Sequence, residues 1–377
     1  MRKYIDFNPG SEVSETNRAW QGCPTIACTK GGRLFAGWYS GGMFEPCIDN
    51  YNILVKSDDG GETWSPPILV SYSDREKRLR NIDIQLWVDS LNRLWVMWTH
   101  SPYPEDAGPA TIRTPFPFNY HKEFTGVEAL VCNDPDADIL KWEDPRVICF
   151  GFLRCKPIET SNGRYIFPAY DWVNANNYML RFSDDRGESF YDVTASRKPK
   201  NNVFDETMVY EAKNGELRYL ARTVEGYYAY SASADGGKTW SETSEYEKAP
   251  STRFYIGRLG CGLLAYARNV SDTARTGMKI RLSDDDGTSW KWELILDERT
   301  GVSYPDLCED GKGNIFIVHD RERDNRCRLN RETWRSDAAK EILLSKITVE
   351  DIKRGSLSGD SYVARVISKA LVDTVAI

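Results

Sequence analysis

Charged, amide and phenolic residues stand at the starts of several short apolar segments of this chain. The set consists of Gln21, Asp83, Gln85, Lys156, Glu206, Arg253 and Tyr304. A second set, which includes Arg222 and Arg321, stands where the following apolar segments end. Such groups bind polar ligands and exchange protons with them. Because unpaired buried charge is costly, we interpret the two sets as one functional pocket, and salt bridges on the rim of a protein-binding scaffold as the alternative.

An eight-residue motif that recurs four times indicates which elements position these residues. The first copy is Ser57–Trp64 (S-D-D-G-G-E-T-W), and later copies begin at Ser183, Ser233 and Ser283, 50 residues apart. A degraded copy lies near Asp136. The pattern S-x-D-x-G-x-T-W is the Asp box, a tight turn in which Asp accepts backbone N–H bonds and Gly supplies positive φ. Four copies at nearly regular spacing predict a repeat protein.

Six segments of the sequence read as an apolar strand, a Gly or Asn turn and a second apolar strand, which is typical of a β-hairpin. A third strand follows each hairpin, and five of these run into an Asp box or its relic. Six such units predict an all-β fold, a six-bladed β-propeller that forms one domain over residues 1–377. The predicted blades are 20–72, 82–150, 154–196, 204–248, 252–298 and 302–350, with 351–377 as a closing strand or a tail. The residues before Asn17 could add a strand to the last blade.

The composition favours certain partners and a compartment. The net charge of −7 argues against nucleic acid, and no apolar run is long enough to span a membrane. The first residues lack the apolar stretch of a signal peptide, and the nine cysteines show no paired CxxC spacing, so we expect reduced thiols and a cytoplasmic protein. Neither metal-ligand spacing nor a phosphate-cradling motif occurs, so we expect no metal and no cofactor. The 12 Trp and 20 Tyr suit a β-rich fold and a surface that stacks on sugar rings.

The Asp boxes and the residues around Tyr304 resemble the sialidase (neuraminidase) superfamily, over roughly residues 20–347. The segment Ser303–Leu307 (S-Y-P-D-L) is similar to the Tyr-Ser-Asp-Leu motif that carries the family's tyrosine nucleophile. The resemblance implies that Tyr304 is the nucleophile and that Glu206, at the start of a blade, is its base. A phenol needs a base because its ordinary pKa is near 10, and a neutral phenol is not repelled by an anionic sugar.

The family binds the carboxylate of its substrate with three arginines, whose planar fork suits that group. Arg222, sixteen residues after Glu206, matches the second arginine, and Arg275, 29 residues before Tyr304, matches the third. Arg253 and Arg268 are rivals for the third position.

The first arginine of the family is missing from this chain. Where the family has Arg-Ile-Pro, the sequence reads Gly22-Cys23-Pro24, with Gln21 beside it. Losing one charged hydrogen-bonding partner costs about 1.5–3 kcal/mol. The departure weakens the expectation that sialic acid itself is the substrate.

The family's acid/base is an Asp in the loop before the third strand of the first blade, and the matching position here holds Glu45. Asp49 is the alternative. Either carboxylate can donate a proton if it reaches the leaving oxygen. Asp83 and Gln85 could hold sugar hydroxyl groups.

These observations predict a sialidase-like exo-glycosidase that acts with retention on a terminal acidic sugar of an oligosaccharide or glycoside. The alternatives are a carbohydrate lyase, a glycosidase of other specificity on the same scaffold, and a non-catalytic propeller that binds carbohydrate or protein. Substrate contacts are expected from Arg222, Arg275, Arg253, Gln21, Asp83, Gln85, Lys156 and Arg321.

Overall fold

The computed structural model of the protein describes residues 4–42, 45, 49–102, 126–170, 176–200, 202, 206–321 and 340–372. The strands assemble into seven antiparallel sheets, two of them in blade 3, arranged as a six-bladed β-propeller, which confirms the predicted fold class. Apart from β1 (Ile5–Asp6), which lies on the outer edge of blade 1, the chain runs within each blade from the innermost strand outward.

Of the first three blades, blades 1 and 3 depart from the pattern of four strands. Blade 1 consists of β1 (Ile5–Asp6), β2 (Trp20–Cys28), β3 (Leu34–Gly41), β4 (Tyr51–Ser57) and β5 (Leu69–Tyr72). Blade 2 consists of β6 (Leu79–Val88), β7 (Leu94–Pro102), β8 (Gly126–Cys132) and β9 (Arg146–Phe150). Blade 3 consists of β10 (Phe152–Leu153), β11 (Ile158–Glu159), β12 (Tyr165–Phe167), β13 (Ala169–Tyr170), β14 (Asn177–Ser183) and β15 (Tyr191–Arg197). Because β10 pairs with β13 and β11 with β12, the two inner strands of blade 3 are both interrupted.

The last three blades have four strands each. Blade 4 consists of β16 (Thr207–Glu211), β17 (Leu217–Arg222), β18 (Tyr227–Ser233) and β19 (Ser244–Lys248). Blade 5 consists of β20 (Tyr255–Arg258), β21 (Leu264–Asn269), β22 (Thr276–Ser283) and β23 (Trp292–Thr300). Blade 6 consists of β24 (Val302–Glu309), β25 (Asn314–Arg321), β26 (Glu341–Thr348) and β27 (Tyr362–Lys369), and the helix α1 (Val349–Arg354) precedes β27.

Both ends of the described chain lie on outer edges of blades. The strand β1 pairs with β5 of blade 1, so the idea that the residues before Asn17 join the last blade is wrong. The strand β27 is the outermost strand of blade 6. The backbone after it binds the N-terminal segment, because the amides of Leu371 and Val372 donate to the carbonyls of Glu15 and Arg18. These contacts join blades 1 and 6 beside the point where the ring closes.

The four Asp boxes form the turns between the third and fourth strands of blades 1, 3, 4 and 5. In blade 1, Asp59 accepts hydrogen bonds from the Ser57 hydroxyl at 2.8 Å and from the Thr63 amide at 2.9 Å. The aromatic residue at the end of each box packs in a core that its own blade shares with the preceding blade; for Trp64 the preceding blade is blade 6. The boxes therefore stabilise the scaffold from the side away from the innermost strand starts.

We expect the Asp59→Asn variant to have a lower melting temperature than the wild type at neutral pH. Hydrogen bonds from Thr63 lower the pKa of Asp59 to about 2, although burial opposes the shift slightly. In the unfolded chain the pKa is about 4, so the stabilisation is complete above that pH and is lost as the pH falls towards about 2. Thermal unfolding followed by circular dichroism should show that the difference in melting temperature between wild type and variant becomes smaller as the pH falls from about 4 to about 2. Asp138→Asn, at an exposed position in the relic box, is the matched control, and a deficit that stays constant with pH would contradict the prediction.

Candidate functional site

Three neighbouring blades present one residue each to the centre through the same backbone distortion. Cys23, Asp83 and Tyr304 lie in the innermost strands of blades 1, 2 and 6, and their φ angles are 57°, 57° and 55°. Each lies at a register shift in its strand, which is a β-bulge. Left-handed backbone is unfavourable for residues with a Cβ and persists where the surroundings hold it. The repeated bulge therefore identifies the starts of these strands as a candidate functional site.

The centre of the site is a contact between Arg222, Glu206 and Tyr304. The Arg222 Nη1 atom lies 2.8 Å from Glu206 Oε2 and 3.4 Å from the Tyr304 hydroxyl oxygen. Arg222 ends β17, and its amide donates to the Glu206 carbonyl, so the sheet of blade 4 holds both residues together. Glu206 is fully buried. Burial raises the pKa of Glu206, but the guanidinium groups of Arg222 and Arg154 outweigh it and hold the pKa below its ordinary value.

Arg154 is a member of the site that sequence reasoning missed. Its Nε atom lies 2.6 Å from Asp83 Oδ2, and its Nη1 atom lies 3.6 Å from Glu206 Oε1. The residue lies in the interruption of the innermost strand of blade 3. A signal was available, because Arg154 stands two residues before Lys156 at a blade start, the kind of position from which the pocket residues were chosen.

Asp83 and Glu206 differ in their electrostatic environments. Burial raises the pKa of Asp83, Arg154 opposes this shift, and the nearby Glu45 and Glu206 add to it. Arg154 thus lies between Asp83, whose pKa is raised, and Glu206, whose pKa is lowered. Such a pair of environments is typical of sites that carry out acid–base chemistry.

Two arginines lie against the ring of Tyr304. The Cζ atom of Arg275 is 5.2 Å from the ring centroid, and Arg275 donates to the Ser303 hydroxyl at 3.0 Å and to the Ser251 carbonyl at 3.1 Å. The Cζ atom of Arg253 is 4.9 Å from the same centroid. With Arg222 at the hydroxyl group, three guanidinium groups surround one phenol, and all three are buried.

The two candidate acid/base residues have different surroundings. Glu45 is half-buried, and its Oε2 atom lies 3.3 Å from the Cys23 sulfur at the bulge of blade 1. Asp49 is exposed and forms an ion pair with Arg75. The structure brings Glu45 and not Asp49 to the innermost strand starts.

Four other predicted binding residues contact the scaffold. Gln21 donates to the Lys340 carbonyl at 2.9 Å, and the Lys156 ammonium lies 3.0 Å from Asp306. Gln85 is buried within β6, and Arg321 lies 3.6 Å from the Glu341 carboxylate. A role of these residues in substrate binding stays a prediction.

Gly22, where the sequence predicts that the family's first arginine is missing, is closely packed. A Cβ atom on Gly22 would lie 3.0 Å from Asp320 Oδ2 and 3.1 Å from the Trp20 ring. The Asp320 carboxylate accepts a hydrogen bond from the Cys23 amide at 2.8 Å and so supports the bulge of blade 1. A carboxylate therefore lies beside Gly22, the position that the sequence resemblance assigns to the first arginine.

A cavity of about 510 Å³ lies at the other end of the innermost strands, where they run into their hairpin turns. Its lining includes Trp87, Tyr255, Glu211 and Arg258. The Arg258 guanidinium donates to the Glu211 and Gly262 carbonyls, and the Glu211 carboxylate accepts from the amide and hydroxyl of Ser161. Because these charges join neighbouring blades, the cavity is a weaker candidate than the cluster around Tyr304.

Within the described residues, no group of three or more His, Cys, Asp and Glu side chains is arranged to hold a metal ion. None of the helices in the described part of the chain combines the length and the apolar character that a membrane crossing requires. The cytoplasmic location stays a prediction.

Comparisons with known proteins agree with the fold and the repeats. A family described as "BNR repeat-like domain" matches residues 134–317, and the "BNR/Asp-box repeat" matches residues 55–66. A sialidase of Bacteroides fragilis is 25% identical over 300 residues, which are 71% of this chain and 53% of that protein. An anhydrosialidase of the leech Macrobdella decora is 26% identical over 182 residues, which are 42% of this chain and 23% of that protein. The chain thus spans about half the length of the first relative and about a quarter of the second.

Among solved structures, the intramolecular trans-sialidase of Ruminococcus gnavus, in complex with oseltamivir carboxylate, shares the fold. It has a TM-score of 0.68 and 16% identity, and the match covers 92% of this chain and 98% of that one. Fold and repeats together define an Asp-box β-propeller. The two repeat matches, the sialidase relatives and the shared fold support the resemblance to the sialidase superfamily of BNR/Asp-box repeat proteins that the sequence predicts.

Proposed function

We propose that this protein is a sialidase-like exo-glycosidase that acts with retention on a terminal acidic sugar. The observation that carries the proposal is the placement of Arg222 Nη1 between Glu206 and the Tyr304 hydroxyl group at the centre of the ring. The sialidase and anhydrosialidase among its relatives support the same class of reaction.

In the proposed first step, the Tyr304 oxygen attacks the anomeric carbon while Glu206 takes the phenolic proton. Glu45 donates its proton to the leaving oxygen as the glycosidic bond breaks. In the second step, Glu45 takes a proton from water, and the water oxygen attacks the anomeric carbon. The bond to Tyr304 breaks, and the phenol regains its proton from Glu206, so both residues return to their starting states.

Arg222 and Arg275 would bind the acidic group of the sugar. Both reach the neighbourhood of Tyr304, and Arg is suited to bidentate contact with a carboxylate. With two arginines in place of three, we expect weaker binding of a sugar carboxylate than a three-arginine site provides.

A panel of aryl glycosides that includes the sialoside tests the proposal. Release of the aryl group from the sialoside would support it. Release from another glycoside only would retain the mechanism and change the specificity. The absence of release from every member would overturn the exo-glycosidase and favour a lyase, for which oligosaccharides that contain uronate provide an ultraviolet assay, or a binding protein.

A second candidate reaction is intramolecular transglycosylation, in which a hydroxyl group of the bound sugar replaces water in the second step. Two of the proteins that resemble this chain bear names of this kind, the leech anhydrosialidase and the R. gnavus intramolecular trans-sialidase. The product would be an anhydro sugar, lighter by one water molecule than the hydrolysis product. Mass spectrometry of the released sugar distinguishes the two reactions.

We expect Glu45→Gln to lower kcat/KM by about 10²-fold on a glycoside with a poor leaving group. The loss should be smaller on an activated aryl glycoside, because that leaving group departs without a proton. Asp49→Asn is the matched control, since Asp49 is exposed and paired with Arg75. Steady-state kinetics on the two substrates measure the effect. The reverse order, with the larger loss in Asp49→Asn, would assign the acid/base to Asp49.

A further inference from the structure

Arg253 makes a set of contacts that differs from those of the other arginines around Tyr304. It lies just before β20 of blade 5, and its side chain crosses the centre of the ring of blades. Its Nη1 atom donates to the Arg154 carbonyl of blade 3 at 2.8 Å. Its Nη2 atom donates to the Pro24 carbonyl of blade 1 at 2.8 Å and to the Tyr304 carbonyl of blade 6 at 3.1 Å. One buried guanidinium thus binds the backbone of three other blades.

Two of these carbonyls belong to the bulges of the candidate site. Pro24 follows Cys23, whose backbone is left-handed, and Tyr304 is itself left-handed. An unfavourable backbone conformation persists only where surrounding contacts hold it. Arg253 supplies such a contact to both bulges, so it fixes where the Tyr304 side chain leaves its strand.

The same guanidinium also lies against the face of the Tyr304 ring, with Cζ 4.9 Å from the centroid. A cation in this position attracts the ring electrostatically, and it stabilises a negative charge on the phenol oxygen more than it stabilises the neutral phenol. The charge and the hydrogen bonds of Arg253 therefore act on the same residue.

We propose that Arg253 is a positioning residue of the reaction, which orients Tyr304 and favours its ionised form, and is not a ligand of the substrate carboxylate. The proposal rests on the proposed function in one respect, that Tyr304 is the nucleophile. Three of the five N–H donors of Arg253 bind backbone carbonyls, and its Nε, which has no partner among the described residues, is itself buried. Arg222 donates to the Ser251 hydroxyl and the Glu206 carboxylate, and Arg275 donates to the Ser303 hydroxyl; the proposal assigns substrate contact to these two.

The test uses Arg253→Met, which keeps the length of the side chain and removes its charge. Titration of the Tyr304 ring, followed by ¹³C NMR and assigned by comparison with Tyr304→Phe, should move to higher pH by about one to three units. Because this readout needs no substrate, it remains informative if the proposed glycosidase activity fails. In kinetics on a substrate that the wild type turns over, kcat should fall and KM should stay within about twofold.

Arg258→Met is the matched control. Arg258 is a half-buried arginine that also binds backbone carbonyls, that of Glu211 in blade 4 and that of Gly262 in its own blade, at the other end of the innermost strands, and it pairs with Asp286. The Arg258→Met variant should be less stable than the wild type, but the titration of Tyr304 and kcat should be unchanged. If Arg253→Met, like Arg258→Met, lowers the stability but leaves the Tyr304 titration and kcat unchanged, the role of Arg253 is structural and the proposal is wrong.

Two further outcomes decide against the proposal. If Arg253→Met raises KM and leaves kcat and the Tyr304 titration unchanged, Arg253 is a substrate ligand. If the Met variant does not fold, Arg253→Lys replaces it, since Lys keeps the charge but cannot bind three carbonyls with a planar fork. The Lys variant should lose kcat while Tyr304 titrates closer to the wild-type pH, and unchanged kcat in this variant would overturn the proposal.

Discussion

Tyr304→Phe should lower kcat by about 10³-fold or more on any glycoside that the wild type hydrolyses. The substitution removes the oxygen that would attack the anomeric carbon. It keeps the ring that lies 4.9 Å from Arg253 and 5.2 Å from Arg275. Among the contacts of the hydroxyl group that disappear is the 3.4 Å approach of Arg222, which is long for a hydrogen bond. The variant is therefore expected to remain folded and to bind ligand.

Tyr230→Phe is the matched control for the loss of one phenol oxygen. Tyr230 lies in the third strand of blade 4 and is half-buried. Thermal unfolding of both variants should resemble that of the wild type, and steady-state kinetics should separate them. If Tyr304→Phe retains activity within tenfold of wild type, the nucleophile is a different group and the proposed mechanism is wrong. If the wild type shows no turnover and Tyr304→Phe binds ligand as tightly as the wild type, the non-catalytic propeller is favoured.

The fold could be predicted from the sequence because its signals are local. Each Asp box closes its own turn with its own Ser, Asp and Thr, as Ser57, Asp59 and Thr63 show. The order of strands in a blade then follows from short hairpins. The pairing of β1 with β5 could not be predicted in this way, because it joins segments on opposite sides of the whole first blade.

The candidate site could be predicted in part, for the same physical reason. Glu206 lies directly before β16, and Arg222 ends the paired strand β17, so the hairpin of one blade brings the two residues together. Arg154 was missed because its partners, Asp83 and Glu206, lie in two other blades. The carbonyl contacts of Arg253 have no sequence signal, because every residue has a backbone carbonyl. Which carbonyls reach Arg253 depends on the fold, and for Pro24 and Tyr304 it depends on the bulges.

Lys156→Met is expected to destabilise the protein by about 3–5 kcal/mol, the cost of leaving a buried charge without its partner. Lys156 lies in the interruption of blade 3, and its ammonium reaches Asp306 of blade 6 at 3.0 Å. It also donates to the carbonyls of Ile26 in blade 1 at 2.5 Å and of Leu307 in blade 6 at 2.8 Å. Met preserves the length of the side chain and removes all three contacts. Asp306 would then retain hydrogen bonds from blade 1 but would lose its cation.

Denaturant unfolding followed by tryptophan fluorescence measures the effect. The double variant Lys156→Met/Asp306→Asn should recover part of the loss, because it removes the uncompensated carboxylate, and the cycle of variants gives the coupling energy. Lys291→Met is the control for a surface pair, since Lys291 and Asp284 are half-exposed and such pairs contribute little to stability. If Lys156→Met costs no more than Lys291→Met, the ammonium does not hold blades 1, 3 and 6 together. In that case Lys156 would again be a candidate for the substrate contact that its position at a blade start predicts.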